Sequence, residues 1–378
     1  MTDWLDWPFV EERHRALHAR LLDWCGDNIG EHHCEDVDAA CRTLVKQLGE
    51  AGFLKLCVAD GDKLPDVRSL ALVRGLLASC SGLADFAFAM QGLGSGAISL
   101  FGSDEQKAAW LPKVASGKAI AAYALTEPET GSDAANLSMT AGRDSDGWVL
   151  SGEKSYISNG TIADVLTVFA RTGDPGPKGI SAFIVRSDDP GLSVAERIEV
   201  IAPHPLARLS FDGVRADLLG EEGEGFKIAM QTLNLFRVTV GAAAVGFASR
   251  ALREAISFAT SRKLGSGTLA DNAVTQEKLA DMALAIDASM LLIARAAWQQ
   301  DMSNSDNRRA AAMAKLYATD EAQKVIDAAV QMHGGLGVTV GSKVEELYRE
   351  IRALRIYEGA SEVQRMIIAR DLLKEHRS

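Results

Sequence analysis

The sequence predicts a mainly α, α+β fold in three successive segments: a helical domain over 1–119, a β domain over 120–222 and a helical domain over 223–378. Three observations carry that prediction. Apolar residues recur at helical spacing from about Pro8 to Lys118; the period becomes that of strands at about Ile120; the helical period returns at Gly223 and stays. No repeat and no low-complexity segment interrupts the pattern.

In the N-terminal segment Leu17, Leu21, Leu22 and Trp24 are followed by Val45, Leu48 and Phe53, then by Leu70, Leu72, Val73, Leu76 and Leu77. Gly52, Gly82 and Gly102 punctuate these helices, and Ser103 is expected to cap a last one opened by Asp104, Glu105 and Gln106. Gly92 and Gly94, in the run Met90-Gln91-Gly92-Leu93-Gly94, remove side-chain volume from an apolar helix. Close helix packing and room for a bound apolar chain both fit that loss.

The middle segment reads as at least six strands: Ile120 to Leu125, Asn136 to Ala141, Trp148 to Tyr156, Val165 to Ala170, Ile180 to Val185 and Ala207 to Phe211. Asp144-Ser145-Asp146-Gly147 is a hairpin signal, and Pro175, Gly176, Pro177, Asp188, Asp189, Pro190 and Gly191 supply further turns. Such spacing suits a small barrel or sandwich. The C-terminal segment is expected to begin with a single long helix from Phe226 to about Thr260, its Gly241, Ala244 and Ala248 aligned for tight packing. Further helices are expected over Thr275 to Asp301, Asn307 to His333, Lys343 to Leu354 and Ala360 to Lys374.

The chain has 378 residues, 47% hydrophobic and 24% charged, which suits a soluble globular protein of two or three subdomains. A formal charge of −11 disfavours broad binding to nucleic acid or to anionic membranes. No apolar run is expected to approach membrane-spanning length. Cys25, Cys34, Cys41, Cys57 and Cys80 have irregular spacing and no CxxC pair, so a reduced, cytoplasmic protein is expected rather than a disulfide scaffold. His32-His33-Cys34 has no second ligand cluster, so no metal site is expected. The acidic start of the chain argues against a signal or transit peptide.

Three stretches carry chemistry. Arg355-Ile356-Tyr357-Glu358-Gly359 delivers one carboxylate between an apolar pair and a glycine, ahead of a helix. Burial would raise the Glu358 pKa towards working pH and make it a usable general base. A solvated acid at a helix start explains the same spacing, and the residues alone leave both open. Tyr123 to Asp133 joins a strand to a glycine loop, where Gly131 lets backbone N–H groups approach a phosphate and Thr126 and Ser132 add hydroxyls. Downstream, the two-residue period puts Tyr156 and Ser158 on one side of a strand. There they could stack on a planar cofactor and bond its edge, or Tyr156 could be an ordinary half-buried aromatic. Finally, Gln331 to Gly337 reads as a glycine-rich helix end.

Taken together, these stretches resemble the acyl-CoA dehydrogenase family over nearly the whole chain. One family signature is Leu125-Thr126-Glu127-Pro128-x-x-Gly131-Ser132-Asp133. The other is Gln331-x-x-Gly334-Gly335-x-Gly337, followed by Tyr348-Arg349 and Ile356-Tyr357-Glu358-Gly359. The resemblance implies an FAD-dependent oxidoreductase with an N-terminal helical domain, a central β-barrel or sandwich domain and a C-terminal four-helix bundle. By the same resemblance Glu358 is the base that takes the α-proton of an acyl-CoA or acyl-carrier-protein thioester. Hydride passes from the β-carbon to flavin N5, leaving the trans-2-enoyl thioester, and an acceptor such as electron-transfer flavoprotein reoxidises the cofactor.

The resemblance also distributes the binding residues. Thr126, Gly131, Ser132, Tyr156 and Ser158 are implied on the flavin side. Arg262, Gln331, Gly334 and Gly335 are implied on the pyrophosphate and adenosine side, across a subunit interface. A shared cofactor implies a homo-oligomer, a dimer or a homotetramer. Arg237, Asn234, Gly359 and Gln91 are implied at the substrate, with Phe86, Phe88, Met90, Gly92 and Leu93 shaping the acyl pocket. Room beside Gly92 and Gly94 would favour a bulky, cyclic or branched acyl group.

Three departures from the family pattern occur. Phe236 stands where some members carry the base, so Glu358 is the one family-position candidate. Asn234 replaces a common acid. Arg262-Lys263-Leu264-Gly265-Ser266 lacks the family's phenylalanine, which predicts a weaker hold on FAD that Gly265→Phe with Ser266→Gly would restore. Two alternatives remain from the sequence: a flavin oxidase or monooxygenase on the same fold, and a non-catalytic partner subunit of a mixed oligomer.

Overall fold

The computed structural model describes residues 3–30, 36–302 and 307–377; His32, His33 and Cys34 lie outside them. The N-terminal helices are α1 (Glu12–Asn28), α2 (Val37–Glu50), α3 (Val67–Cys80), α4 (Gly82–Phe101) and α5 (Asp104–Ala115). The strands are β1 (Ala121–Ala124), β2 (Thr140–Asp144), β3 (Gly147–Ser158), β4 (Val165–Arg171), β5 (Ile180–Arg186), β6 (Leu192–Arg197) and β7 (Leu206–Leu219). Next come α6 (Gly225–Ser261), a two-residue hairpin of β8 (Lys263–Leu264) and β9 (Gly267–Thr268), then α7 (Ala273–Met302), α8 (Arg308–His333), α9 (Lys343–Leu354) and α10 (Ser361–Arg377).

Local chemistry sets many of these ends. The Ser103 hydroxyl accepts from the Gln106 N–H, and the Gln106 side chain returns a bond to the Ser103 N–H, a reciprocal cap that starts α5 as expected. The β2–β3 hairpin forms at Asp144 and Gly147, with Gly147 at φ +126°. Two strand expectations shift. Asn136 belongs to a short 3-10 turn and β2 begins only at Thr140, while the strand expected to end at Phe211 runs on to Leu219. Strand β6 was not expected, because all but its first residue face solvent and it carries no apolar alternation.

By packing the chain divides into two compact units, each assembled from separated stretches. One comprises Met1–Glu31, Val67–Asp85 and Arg237–Ser378; the other comprises His32–Asp66 and Phe86–Phe236. In the second unit the strands follow the order β1-β4-β2-β3-β7-β5, and β5 also pairs with β4. That last pairing closes a barrel, with parallel β1 added beside β4 and β6 beside β7. Leu150, Ile157, Val168, Phe183, Leu209 and Phe211 are among the residues that fill its core.

In the first unit the core is built largely from small side chains, including Ala243, Ala244, Ala248, Ala251, Ala322 and Ala329, around Phe247, Ile326 and Ile351. Small residues let helix backbones approach, as expected for Gly241: a Cβ there would lie 3.3 Å from the Ala314 carbonyl oxygen of α8. Gly246 is more constrained, since its Cβ would lie 2.1 Å from the Gly75 carbonyl oxygen of α3. Contrary to the sequence expectation, α6 is long and apolar enough to cross a membrane. Its apolar window is 89% buried inside the protein, so core packing explains that composition.

Candidate active site

In the first unit, the loop between α9 and α10 presents Glu358. Its backbone is left-handed, at φ +51°, and Gly359 follows at φ +90°. A non-glycine residue there is sterically disfavoured and is held only by its surroundings. Those surroundings come mostly from α8. Buried Lys315 donates from Nζ to the Tyr357 carbonyl at 3.0 Å and to the Gly359 carbonyl at 2.7 Å. Asp320 accepts from Arg355 at 2.8 Å, from the Ser361 hydroxyl at 3.1 Å and from Arg365 at 2.9 Å. The Gln364 amide adds a 2.8 Å bond to the Gly359 carbonyl.

The Glu358 carboxylate is part-buried, and its Oε2 is shut from solvent without a hydrogen-bond partner. Burial raises its pKa; Arg74, Lys315 and Arg237 oppose that rise with positive charge, and Asp85 adds to it. Arg74 is committed elsewhere. Nε and Nη2 each bond Asp85 at 2.9 Å, and Nη1 donates to the Thr239 hydroxyl at 3.0 Å. Arg237 is 5% exposed, and burial lowers its pKa while Glu358 pulls it back up. The structure therefore brings Glu358, Gly359 and Arg237 into one charged, water-poor neighbourhood. A carboxylate so placed can accept a proton from a weak carbon acid.

At the other end of this unit, α6 and α8 finish side by side, where the Phe258 and His333 rings stack 4.3 Å apart. Arg262 follows the first helix end; Gln331, Gly334 and Gly335 lie at the second, and all four are exposed. No atom lies within 4 Å of the Cβ positions of Gly334 and Gly335, so backbone is open to an occupant there. The hairpin between them corrects one expectation. Gly265 occupies the turn at φ +59°, so a phenylalanine there would be strained and would not simply restore a family contact.

The second unit holds the other expected group. Buried Lys154 donates from Nζ to the Leu125 carbonyl at 3.0 Å and to Glu127 at 2.9 Å. Glu127 in turn accepts from the Ser138 N–H at 2.6 Å, the Ser138 hydroxyl at 2.8 Å and the Met139 N–H at 3.0 Å. Thr126 is thus clamped from both sides, and its own carbonyl accepts from the Ser155 N–H at 2.9 Å. A bulge in β3 between Lys154 and Ile157 turns Tyr156 to φ +56° and leaves its ring 62% exposed. Ser158 is half-buried; Gly131 and Ser132 are exposed, and no atom lies within 4 Å of the Gly131 Cβ position. An aromatic face, a hydroxyl edge and a bare glycine backbone together fit a planar cofactor bearing a phosphate.

Gln91 is fully buried, donating to the Ala119 carbonyl and accepting from the Ala121 N–H, both at 2.8 Å, so both ends of its amide brace β1. One acyl-pocket expectation does not survive. Gly92 and Gly94 open no lateral room. A Cβ at Gly92 would lie 2.7 Å from the Phe236 ring, and one at Gly94 would lie 2.6 Å from the Ala121 backbone. Asn234 is half-buried on α6. Phe86 is half-buried, with its ring 4.4 Å from that of His204; Phe88 is buried and Met90 half-buried. Among the described residues no cluster of metal-ligating side chains occurs.

Sequence reasoning missed Lys315, Asp320, Arg74, Asp85 and the Lys154–Glu127 pair. Lys315 did leave a trace, as a lone cation after the run Ala310-Ala311-Ala312-Met313-Ala314.

The chain matches family models along nearly its entire length: the acyl-CoA dehydrogenase N-terminal domain over residues 11–118, the middle domain over 122–214 and the C-terminal domain over 223–373. It is 34% identical to a 3-(aryl)acrylate reductase of Clostridium sporogenes, covering 97% of this chain and 100% of that one. It is 38% identical to the mitochondrial short-chain specific acyl-CoA dehydrogenase of Homo sapiens, covering 88% and 83%. Its fold is similar to a glutaryl-CoA dehydrogenase of Mycobacterium smegmatis solved in complex with FADH2, with a TM-score of 0.87, 28% identity and coverage of 96% and 95%.

Proposed function

The chain belongs to the acyl-CoA dehydrogenase family, and from that premise we propose which residues do the work and on what. It is an oxidoreductase that removes the α-proton and the β-hydride of an acyl thioester. Glu358 carries this reading: its buried, unpartnered Oε2 and raised pKa suit it to accept the α-proton. Phe236, beside Arg237, offers no competing base. FAD, when bound, supplies the acceptor for the hydride.

On the flavin side the proposed contacts are Thr126, Gly131, Ser132, Tyr156 and Ser158, which present hydroxyls, bare backbone and an exposed ring. Arg262, Gln331, Gly334 and Gly335 are proposed to hold the pyrophosphate and adenosine of a second protomer's cofactor, and their exposure in the single chain supports this. The assembly is then a homo-oligomer, a dimer or a tetramer. Arg237, Asn234 and Gly359 are proposed at the thioester, where the Glu358 N–H stabilises negative charge on the carbonyl oxygen. An electron-transfer flavoprotein is proposed as electron acceptor.

A short acyl group is the proposed substrate. Phe236 packs against Gly92 and Gly96, so the room expected there for a bulky group is filled, and the short-chain likeness supports a small acyl group. Anaerobic bleaching of the flavin against thioesters of increasing length, branching and aryl character tests this. Bleaching is expected to be fastest with short straight chains. Preference for chains of about eight carbons or more sinks the substrate proposal, and no bleaching with any thioester sinks the function. The likeness to an aryl-acrylate reductase favours one second reading, in which the same site saturates an enoyl or aryl-acrylyl group. An equilibrium measured from both sides decides the direction.

A further inference from the structure

We infer that Lys315 is the positioning residue of this site: it clasps the backbone on both sides of Glu358, fixing where the carboxylate points and giving it a counter-charge. This inference rests on Glu358 being the base.

The geometry is specific. The two carbonyls that accept from Lys315 Nζ, at 3.0 and 2.7 Å, belong to Tyr357 and Gly359, the immediate neighbours of Glu358. Fixing the peptide groups on either side holds Glu358 in its left-handed conformation, which an unsupported L-residue disfavours. Released, the residue would fall to the right-handed or extended regions and swing its side chain away. Asp320, further along α8, pins Arg355 and Ser361 at the loop's two ends, so one helix holds the ends and the middle together.

A glutamine could donate to the same carbonyls, so hydrogen bonding alone does not explain a lysine with no solvent exposure. Burial pushes the Lys315 pKa down to about 8, and the negative charge of Glu358 works against that fall. Among the described residues, the groups whose charges act on Glu358, or on Lys315 and Arg237 beside it, include Arg74 of α3 with Asp85 of α4, Arg237 of α6, Arg308 and Asp320 of α8, and Arg355 of the loop. Tyr357 is neutral, its pKa raised by burial, and Glu350 of α9 acts on it. Arg74 is paired with Asp85, whereas Lys315 bonds the backbone of the Glu358 loop directly. Removing its charge raises the Glu358 pKa, so a higher pH is needed to ionise the base.

The test uses the whole protein with FAD bound and the best thioester found for wild type. In K315M the ascending limb of the kcat/KM profile is expected to move up by about one pH unit, with about a 10- to 100-fold loss at pH 7. The Tyr357 and Ser361 amides, which donate to the Ala353 and Arg355 carbonyls, are expected to exchange at least about ten-fold faster. K315R keeps the limb in place, whereas K315Q keeps some of the amide protection but moves the limb. A K315M enzyme with wild-type limb and wild-type exchange overturns the inference, as does a limb shift equally large in K315R. If K315M cannot be recovered folded, wild type decides: Tyr357 and Ser361 amides that exchange as fast as an open loop overturn it. A wild type that bleaches with no thioester refutes the function instead, and the exchange comparison still decides the clasp.

Discussion

Glu358 combines a disfavoured backbone with a raised pKa, and each property makes a separate prediction. Replacing it by glutamine keeps the shape and removes the proton acceptor, so E358Q is expected to fold normally and bleach about a hundred- to ten-thousand-fold more slowly. Stopped-flow bleaching measures this, and a near wild-type rate refutes the base assignment. For pH the sign is direct: the base works ionised, its pKa lies above the ordinary carboxylate range, and kcat/KM should climb with pH through that raised value. At the second site, Lys154→Met leaves Glu127 buried without its cation, which is expected to cost about 3–5 kcal/mol. Urea unfolding measures that loss. The identity of Glu358 was legible in the sequence because a short motif carries it. Lys154 and Lys315 were not, since a lysine within a strand or helix reads as a solvated side chain until tertiary packing covers it. Tyr156 was half legible: its place on a strand near Ser158 could be read from the sequence, but the bulge that turns its backbone left-handed could not.

Helix borders could be read to within a few residues, because helical periodicity is local and Ser103 marks its own cap. Barrel closure could not, since β4 meets β2 and β5 meets β7 through pairings that no turn signal announces. Strand β6 was invisible for another reason: it lies on the surface and buries almost nothing. The small residues of α6 stand out in the sequence as a packing device, yet the tightest contact is at Gly246, outside the aligned set. Gly246→Ala must push against the Gly75 backbone, so it is expected to destabilise by about 1–3 kcal/mol, while S257A on the exposed side of the same helix changes little. Differential scanning calorimetry separates the two. For the β8–β9 hairpin, Gly265→Phe is expected to lower stability by about 1–2 kcal/mol and to leave FAD affinity no tighter, as equilibrium dialysis would show.

If FAD spans two protomers, dilution should release cofactor and dissociate the assembly together. Analytical ultracentrifugation followed at 280 and 450 nm tests this, and FAD retained on a monomer refutes the shared site. Added FAD should also protect the fold, by about 2.7 kcal/mol at a hundred times its Kd. The interleaving of the two compact units has a consequence for biosynthesis. The helices α1 and α3 leave the ribosome early, but their unit also contains Arg237–Ser378, the last third of the chain to be made. Until then the nascent chain carries apolar helix faces with no partner, as slow-folding chains of high contact order do. The unit made of His32–Asp66 and Phe86–Phe236 can close first, around the stretch that waits. A chain truncated after Phe236 should therefore be a chaperone client with one folded half, and translation of the final third should release it.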